Sequence, residues 1–441
     1  MKIIILILFP FICFSQNQYI KTSYIGTSTG SISQPWKTYS AVNQSALNPG
    51  DSVLAFRGEK YSVGQLTITK SGSSGNPIVW GAYGTGSNPL IWGIGTTINS
   101  LFYMNNRSNI TFRDFSIVDT TISATDRSIL SKIQRAFYID GTTLASNIRI
   151  SNILMDRVGV GAYLVSGGVV MDSCDIGNMR MVVNTNNGAP PGADDDYGAN
   201  PLVISSANNI ITRNYFHDCW AESFDYGFDG GAVEFFGNDA DNNIVSYNTI
   251  IDNIGISEVT GTATGNKFHY NKLIRNGSML YFQNSGITGY EFWNNVVIED
   301  TATRVPESRI FGGSLSSGNI DLKNNVFEMS NGVDIASSTT GITHSYNYYK
   351  MRSGSAINYS LGTGETSGSS IIFTSTDGNP LVWNYTPSSG SPLISAGISV
   401  GLSVDFLNNP ITGTPSIGLI NPINSPLNCN GCIILKNTKI L

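Results

Sequence analysis

Along most of this chain, apolar and polar residues alternate in short bursts that end in asparagine. The stretch Asp241–Asn253 (DNNIVSYNTIIDN) is typical: too apolar for a loop and too rich in asparagine for an ordinary strand. Variants recur as SNIRISNIL (146–154), NNIITRNYF (208–216), NKFHYNKL (266–273), YEFWNNVV (290–297), NIDLKNNVF (319–327) and ITHSYNYY (342–349). Alternation at period two predicts a short strand with one side packed inward. The shared asparagines are Asn152, Asn214, Asn248, Asn271, Asn295, Asn325 and Asn347, with successive spacings of 62, 34, 23, 24, 30 and 22. A divergent copy, VVMDSCDI (169–176), places Cys174 at the asparagine position and splits the first gap into 22 and 40. A period of 22 to 24 residues interrupted by insertions predicts a β solenoid.

With these repeats the chain resembles the right-handed parallel β-helix superfamily, the pectate-lyase-like proteins. The resemblance implies an all-β, single-stranded right-handed parallel β-helix, with three short strands per coil and asparagines stacked as a ladder at one bend. A buried amide at each level would satisfy the polar backbone groups that a bend turns inward. Trp36, Tyr39, Val42, Ala46 and Leu47 recur at helical spacing before Pro49-Gly50, and a strand follows over Ser52–Phe56. This is similar to an N-terminal capping helix covering the open end of the core. GNPLVWNYTPSSGSPLISAG and VDFLNNPI, near the other end, resemble a closing segment. The expected organisation is a leader over 1–15, cap and first coils over 16–100, repeats over 101–350, closing coils over 351–425 and a cysteine-containing tail over 426–441.

Composition narrows the class. The apolar fraction of 41% supports a large core, whereas charged residues make up only 13% and there are 47 glycines, a balance suited to turn-dense exported β proteins. A net charge of -6 gives no basic field for nucleic acid. The N-terminal MKIIILILFPFICFSQ reads as a secretory signal cut before Gln16, too short to span a membrane. A lipoprotein signal through Cys13 is weaker, because bulky Phe11 and Ile12 precede that cysteine. The expected product is an exported monomer. Of its cysteines, Cys429 and Cys432 form a lone CxxC that suits a local disulfide or two free thiols, and Cys174 and Cys219 pair only if the fold joins them.

Two adjacent intervals between asparagines are expanded, and insertions in a solenoid gather on one face. The first holds Asp194, Asp195 and Asp196, either a solvated loop or a calcium site. The second, HDCWAESFDYGFDGGAVEFFG, holds His217, Trp220, Glu222, Asp225, Tyr226, Asp229 and Glu234. Carboxylates beside aromatics suit a carbohydrate site, where rings stack on sugar faces and carboxylates act as acid, base or nucleophile. Aligning EFFG (234–237) with EVTG (258–261) sets Glu234 and Glu258 one coil apart, either as solvated strand residues or as a catalytic pair. The expected site residues are therefore Asp225, Asp229, Glu234, Glu258 and His217 for catalysis, Trp220, Tyr226 and Arg213 for substrate, and Asp194, Asp195 and Asp196 for a cation, with calcium as the cofactor they would hold.

HExxH and P-loop motifs are absent, which leaves zinc-hydrolase and nucleotide chemistry without support. Lyases and polygalacturonases of the same fold carry motifs that do not occur here, and Arg213, Lys267 and Arg275 match none of them. The sequence thus predicts an exported β-helix acting on polysaccharide as a glycoside hydrolase or polysaccharide lyase. The alternative is a non-catalytic glycan-binding or adhesion protein.

Overall fold

The computed structural model describes residues 16–142, 146–185, 196–300, 309–315, 318–329, 334–336, 340–351, 355–369 and 372–422. The signal-like segment, Asp194, Asp195, Cys429 and Cys432 lie outside them. The chain winds into coils whose strands stack into three long parallel sheets. The first has 12 strands, from Gln18–Ile20 to Ile342–Ser345. The second has 12, from Lys60–Ser62 to Thr366–Ser367, and the third has 10, from Leu66–Ile68 to Asp334–Ala336. Each coil visits first, second and third sheet in turn. Inward residues align into columns: Ile211, Val245, Phe268, Phe292 and Leu322 are successive partners in the first sheet. Such columns stack like with like, as where Phe327 lies flat on Tyr349 at 5.5 Å.

The bends hold the coils in register. Between the first and second sheets, Asn214, Asn248, Asn271, Asn295, Asn325 and Asn347 are buried one above another. Each accepts, through Oδ1, the backbone N–H of the residue above at 2.9–3.0 Å, beginning with Cys174. From Asn214 to Asn325, each Nδ2 also donates to the next Oδ1, and the row ends where Asn347 Nδ2 donates to Glu365 at 2.7 Å. Two further rows occupy the other bends. Asn209, Asn243 and Asn266 end on the Tyr290 hydroxyl, while Asn253 and Asn276 run from the Cys219 N–H to Glu299.

Each of these asparagines follows a residue with left-handed backbone: Arg213 (φ 56°), Tyr247 (φ 58°) and Tyr270 (φ 52°) in the first row, Asp252 (φ 56°) and Arg275 (φ 51°) in the third. That conformation costs a non-glycine residue about 1–2 kcal/mol. The satisfied amide beneath offsets it, since leaving a buried amide unpaired costs more.

Two sequence expectations are corrected here. Asn152 is not in a row: it is exposed at φ 52°, and the inward position belongs to Ile153. The N-terminal capping helix does not form either. Two 3-10 turns, Tyr39–Ala41 and Gln44–Ala46, cover the open end, with Tyr39, Val42 and Leu47 buried and Ala46 exposed. The Gln18 side chain explains the break. It donates to the Asn43 carbonyl at 2.8 Å and accepts the Asn43 N–H at 3.0 Å, taking the backbone groups a helix would need. The Ser52–Phe56 strand forms as expected. Cys174 and Cys219 are buried free thiols at the heads of different rows.

The closing segment crosses the outer face of the second sheet. Phe373, Tyr385, Leu393, Ile417 and Leu419 bury Ile274, Val296, Ile298 and Val326 there. Lys272 is caught beneath, donating to the Leu381 carbonyl at 3.0 Å, and its desolvation pulls its pKa down to about 8.

Glu299 ends the third row with its Oε1 accepting the N–H groups of Asn276 (2.9 Å) and Gly277 (3.1 Å). Burial raises its pKa to about 8, against the partial relief of those two bonds. Between the ordinary value of 4.5 and about 8 the folded chain therefore holds a proton that the unfolded chain has lost, so stability falls as pH rises through that window. Glu299→Gln keeps the acceptor and removes the titration. We expect its unfolding midpoint to lose that decline, equivalent to roughly 5 kcal/mol in the wild type; parallel pH profiles for the two proteins would contradict the assignment.

Candidate active site

With the second sheet covered, the third presents a groove of about 790 Å³ on its outer face. One outward row runs along it. Tyr103, Tyr138, Tyr163, Val203 and Glu234 are successive partners, the Phe235–Val259 pairing sets Glu234 beside Glu258, and Glu258 pairs with Tyr281. Adjacent strands lie about 4.8 Å apart, so the two carboxylates stand one strand spacing apart along the groove. The Gln283 amide donates to Glu258 Oε1.

The two insertions build the wall. One forms the antiparallel pair Met181–Val183 with Tyr197–Gly198, and the other the hairpin Trp220–Ser223 with Gly227–Gly230. Asp196 ties them together: it is buried, and it accepts the Thr185 N–H (3.1 Å), the Ser223 hydroxyl (2.5 Å) and the Asp225 N–H (3.1 Å). Asn184 adds a second tie through the Glu222 carbonyl and the Phe224 N–H, both at 2.9 Å. The hairpin thus holds Tyr226, Phe228 and Asp229 over the groove, and Phe236 adds a further exposed ring.

Of the expected catalytic residues, Asp229, Glu234 and Glu258 line the groove together, and Tyr226 joins them. Asp225 sits at the hairpin turn beside Asp196, outside the lining. Trp220, on the first strand of the hairpin, lies outside the groove lining, under the Arg127 guanidinium at 4.5 Å and edge-on to Phe228 at 5.4 Å. Arg213 lies at the bend between first and second sheets, over the Tyr247 ring at 4.8 Å and bonded to Asn408 of the closing segment. Lys267 and Arg275 also lie elsewhere, paired with Glu291 and Asp252. The oxygens of Asp196 serve the hydrogen bonds above, and among the described residues no group of three or more His, Cys, Asp or Glu could hold a metal ion.

His217 is on the second sheet. Its ring lies on Tyr215 at 4.6 Å, over a glycine, Gly177, where a Cβ would come within 2.3 Å of the imidazole. Burial alone would lower its pKa, but hydrogen bonds at 3.1 Å to Asp175 and Asp218, and their charges, more than reverse this and raise it to about 9. The imidazole is thus a cation at neutral pH and a brace between coils. The sequence reading missed Arg135, Tyr163, Tyr197, Tyr281 and Gln283. Tyr163 and Tyr281 were signalled by AYL (162–164) and LYF (280–282), a ring between two buried residues.

Residues 135–305 match the family model described as right handed beta helix region. No curated protein matches the chain. Among solved structures it is similar to the pectate lyase Pel9A, with 14% identity, a TM-score of 0.55 and coverage of 92% of this chain and 97% of that one. It is also similar to XylC in complex with xylose, at 10% identity and TM-score 0.55, covering 92% and 98%. A GH136 lacto-N-biosidase from Eubacterium ramulus aligns at 14% identity and TM-score 0.52, covering 80% and 67%. The protein folds as a right-handed parallel β-helix. At these identities the likeness is one of fold.

Because the folded-state pKa of His217 lies above its ordinary value, its brace is fully stabilising below about pH 6.5 and is lost as pH rises through about 9. NMR titration of the imidazole should give a midpoint above 8 that Asp175→Asn lowers; a midpoint near 6.5 in the parent would refute the brace.

Proposed function

We propose that the groove binds a polysaccharide and that Glu234 and Glu258 hydrolyse a glycosidic bond within it, with net retention of configuration. What carries the reading is the row in which carboxylates on two adjacent strands, between Val203 and Tyr281, lie inside a groove walled by an aromatic hairpin. Two like charges on neighbouring strands favour one shared proton. That gives an acid and a nucleophile at once, and neighbouring strands bring carboxyls near the roughly 5–5.5 Å separation of retaining enzymes. Asp229 and Gln283 orient the pair or the sugar, and Tyr226, Phe228 and Phe236 supply faces for the apolar sides of sugar rings. A leader over residues 1–15 would deliver the protein to the outside of the cell, where such polymers are met. No helix among the described residues is long and apolar enough to cross a membrane.

Glu234→Gln and Glu258→Gln should each lower the release of reducing ends from a polysaccharide the parent cleaves by about 10²–10⁴-fold, leaving glycan binding intact. NMR of the first-formed anomer should show retention. Unchanged turnover in both variants would remove the pair from the chemistry, unsaturated products would indicate elimination, and retention of glycan with no cleavage by the parent would leave the groove as a binding surface.

A further inference from the structure

At the N-terminal end of the solenoid, a buried carboxylate meets the chain just ahead of the first strand. Asp51 is 1% exposed. Its Oδ2 accepts the Asn48 N–H at 2.7 Å, and its Oδ1 accepts the Gln16 N–H at 2.6 Å. Among the described residues no lysine, arginine or histidine lies within ion-pair distance of it. Other buried acids are better served. Asp119, Asp196 and Asp405 each accept three or more hydrogen bonds, and Glu328 and Glu365 face Lys350 and His344.

A carboxylate taken out of water needs a cation as well as donors, and two neutral N–H groups offset only part of its desolvation. Turning one of those two donors into an ammonium group supplies the missing charge where the nitrogen already stands. The chain allows this at Gln16: the apolar run over residues 3–14 and the small residues Cys13 and Ser15 place a signal cut immediately before it.

We infer that hydrolysis of the Ser15–Gln16 bond creates a charged anchor, in which the new α-ammonium of Gln16 pairs with Asp51. In that step water adds across the peptide bond: Ser15 keeps the oxygen as a carboxylate, and the Gln16 nitrogen gains the protons that make it an ammonium. The pair ties the start of the first strand, Gln18–Ile20, to the turn that leads into Ser52–Phe56, its neighbour in the first sheet. It also governs what becomes of Gln16. An N-terminal glutamine with a neutral amine cyclises: the nitrogen lone pair attacks the side-chain Cδ, the Cδ–Nε2 bond breaks and ammonia leaves with the proton. An ammonium has no lone pair to give, and an opposite charge at hydrogen-bond distance holds it in that form. Asp51 therefore keeps the mature N-terminus open.

This anchor rests on reading residues 1–15 as a leader, and the experiment separates the two. The full chain is exported from a secreting bacterial host as the parent, as Asp51→Asn, and as a form with one glycine added ahead of Gln16, each checked by circular dichroism. Intact and peptide masses give the first residue. The α-amine is then labelled at neutral pH with an amine-reactive reagent, and loss of ammonia from residue 16 is followed on unlabelled protein. Because Gln16 is exposed, slow labelling reports its charge and not its burial. The parent should begin at Gln16, and both labelling and cyclisation should run about tenfold or more slowly than in Asp51→Asn, the effect of one pKa unit. The glycine-extended form, whose amine is displaced from Asp51, should label at the Asp51→Asn rate, and it serves where Asp51→Asn fails to fold. Equal labelling in parent and variants, or a parent recovered wholly cyclised, overturns the anchor and leaves the leader standing. An exported chain that begins at another residue also overturns the anchor, and one that keeps residues 1–15 overturns the leader with it.

Discussion

Everything in this molecule depends on how a coil turns three corners without leaving polar backbone groups unpaired in a dry core. Parallel strands supply their own ladder of hydrogen bonds, but at each corner the chain passes through a left-handed residue, and the next residue points inward. An asparagine there is both acceptor and donor: its carbonyl takes the N–H above, and its amide donates to the amide oxygen of the coil below and to a backbone carbonyl of the coil above. Because each amide needs its neighbour, one row fixes the stagger of all the coils it joins. The rows stop only where another polar group can close them, at Tyr290, Glu365 and Glu299.

That constraint makes the interior repetitive and silent about chemistry. What distinguishes one face from another is what covers it. The closing segment seals the second sheet with its own apolar cluster, while the third sheet keeps an open face bounded by two insertions knotted at Asp196. The scaffold is rigid at the level of the strands, so Glu234, Glu258 and Tyr281 are presented at fixed spacing. The hairpin rings lie above them.

The solenoid was legible in the sequence because a buried amide reserves one residue type at one offset. The same rule explains the misreading at Asn152. The left-handed position and the inward position both favour asparagine and lie one residue apart, so a coil with Asn152 at the first and Ile153 at the second mimics the pattern. The cap failed as a helix because helical spacing of apolar residues says nothing of a distant glutamine that claims the backbone at Asn43. Glu234 and Glu258 could be paired by aligning two strands. Arg213 and His217 were drawn in by closeness along the chain, yet a coil carries consecutive strands to different faces. Arg135 escaped notice because repeats aligned on the first bend leave the third sheet at variable distances.

The groove joins a cationic, tyrosine-lined end to a carboxylate pair at the middle and an aromatic wall above. On the proposed function, this polarity would give a bound glycan one direction and one point of attack, with only a handful of side chains on an otherwise uniform solenoid. The most direct test is a crystal structure of the Glu258→Gln variant soaked with an oligosaccharide of a polymer the parent cleaves. The account predicts sugar density along the outer face of the third sheet, with a glycosidic oxygen between residues 234 and 258 and rings against Tyr226 or Phe228. Density confined to the first or second sheet, or a chain lying clear of both glutamate positions, would contradict it.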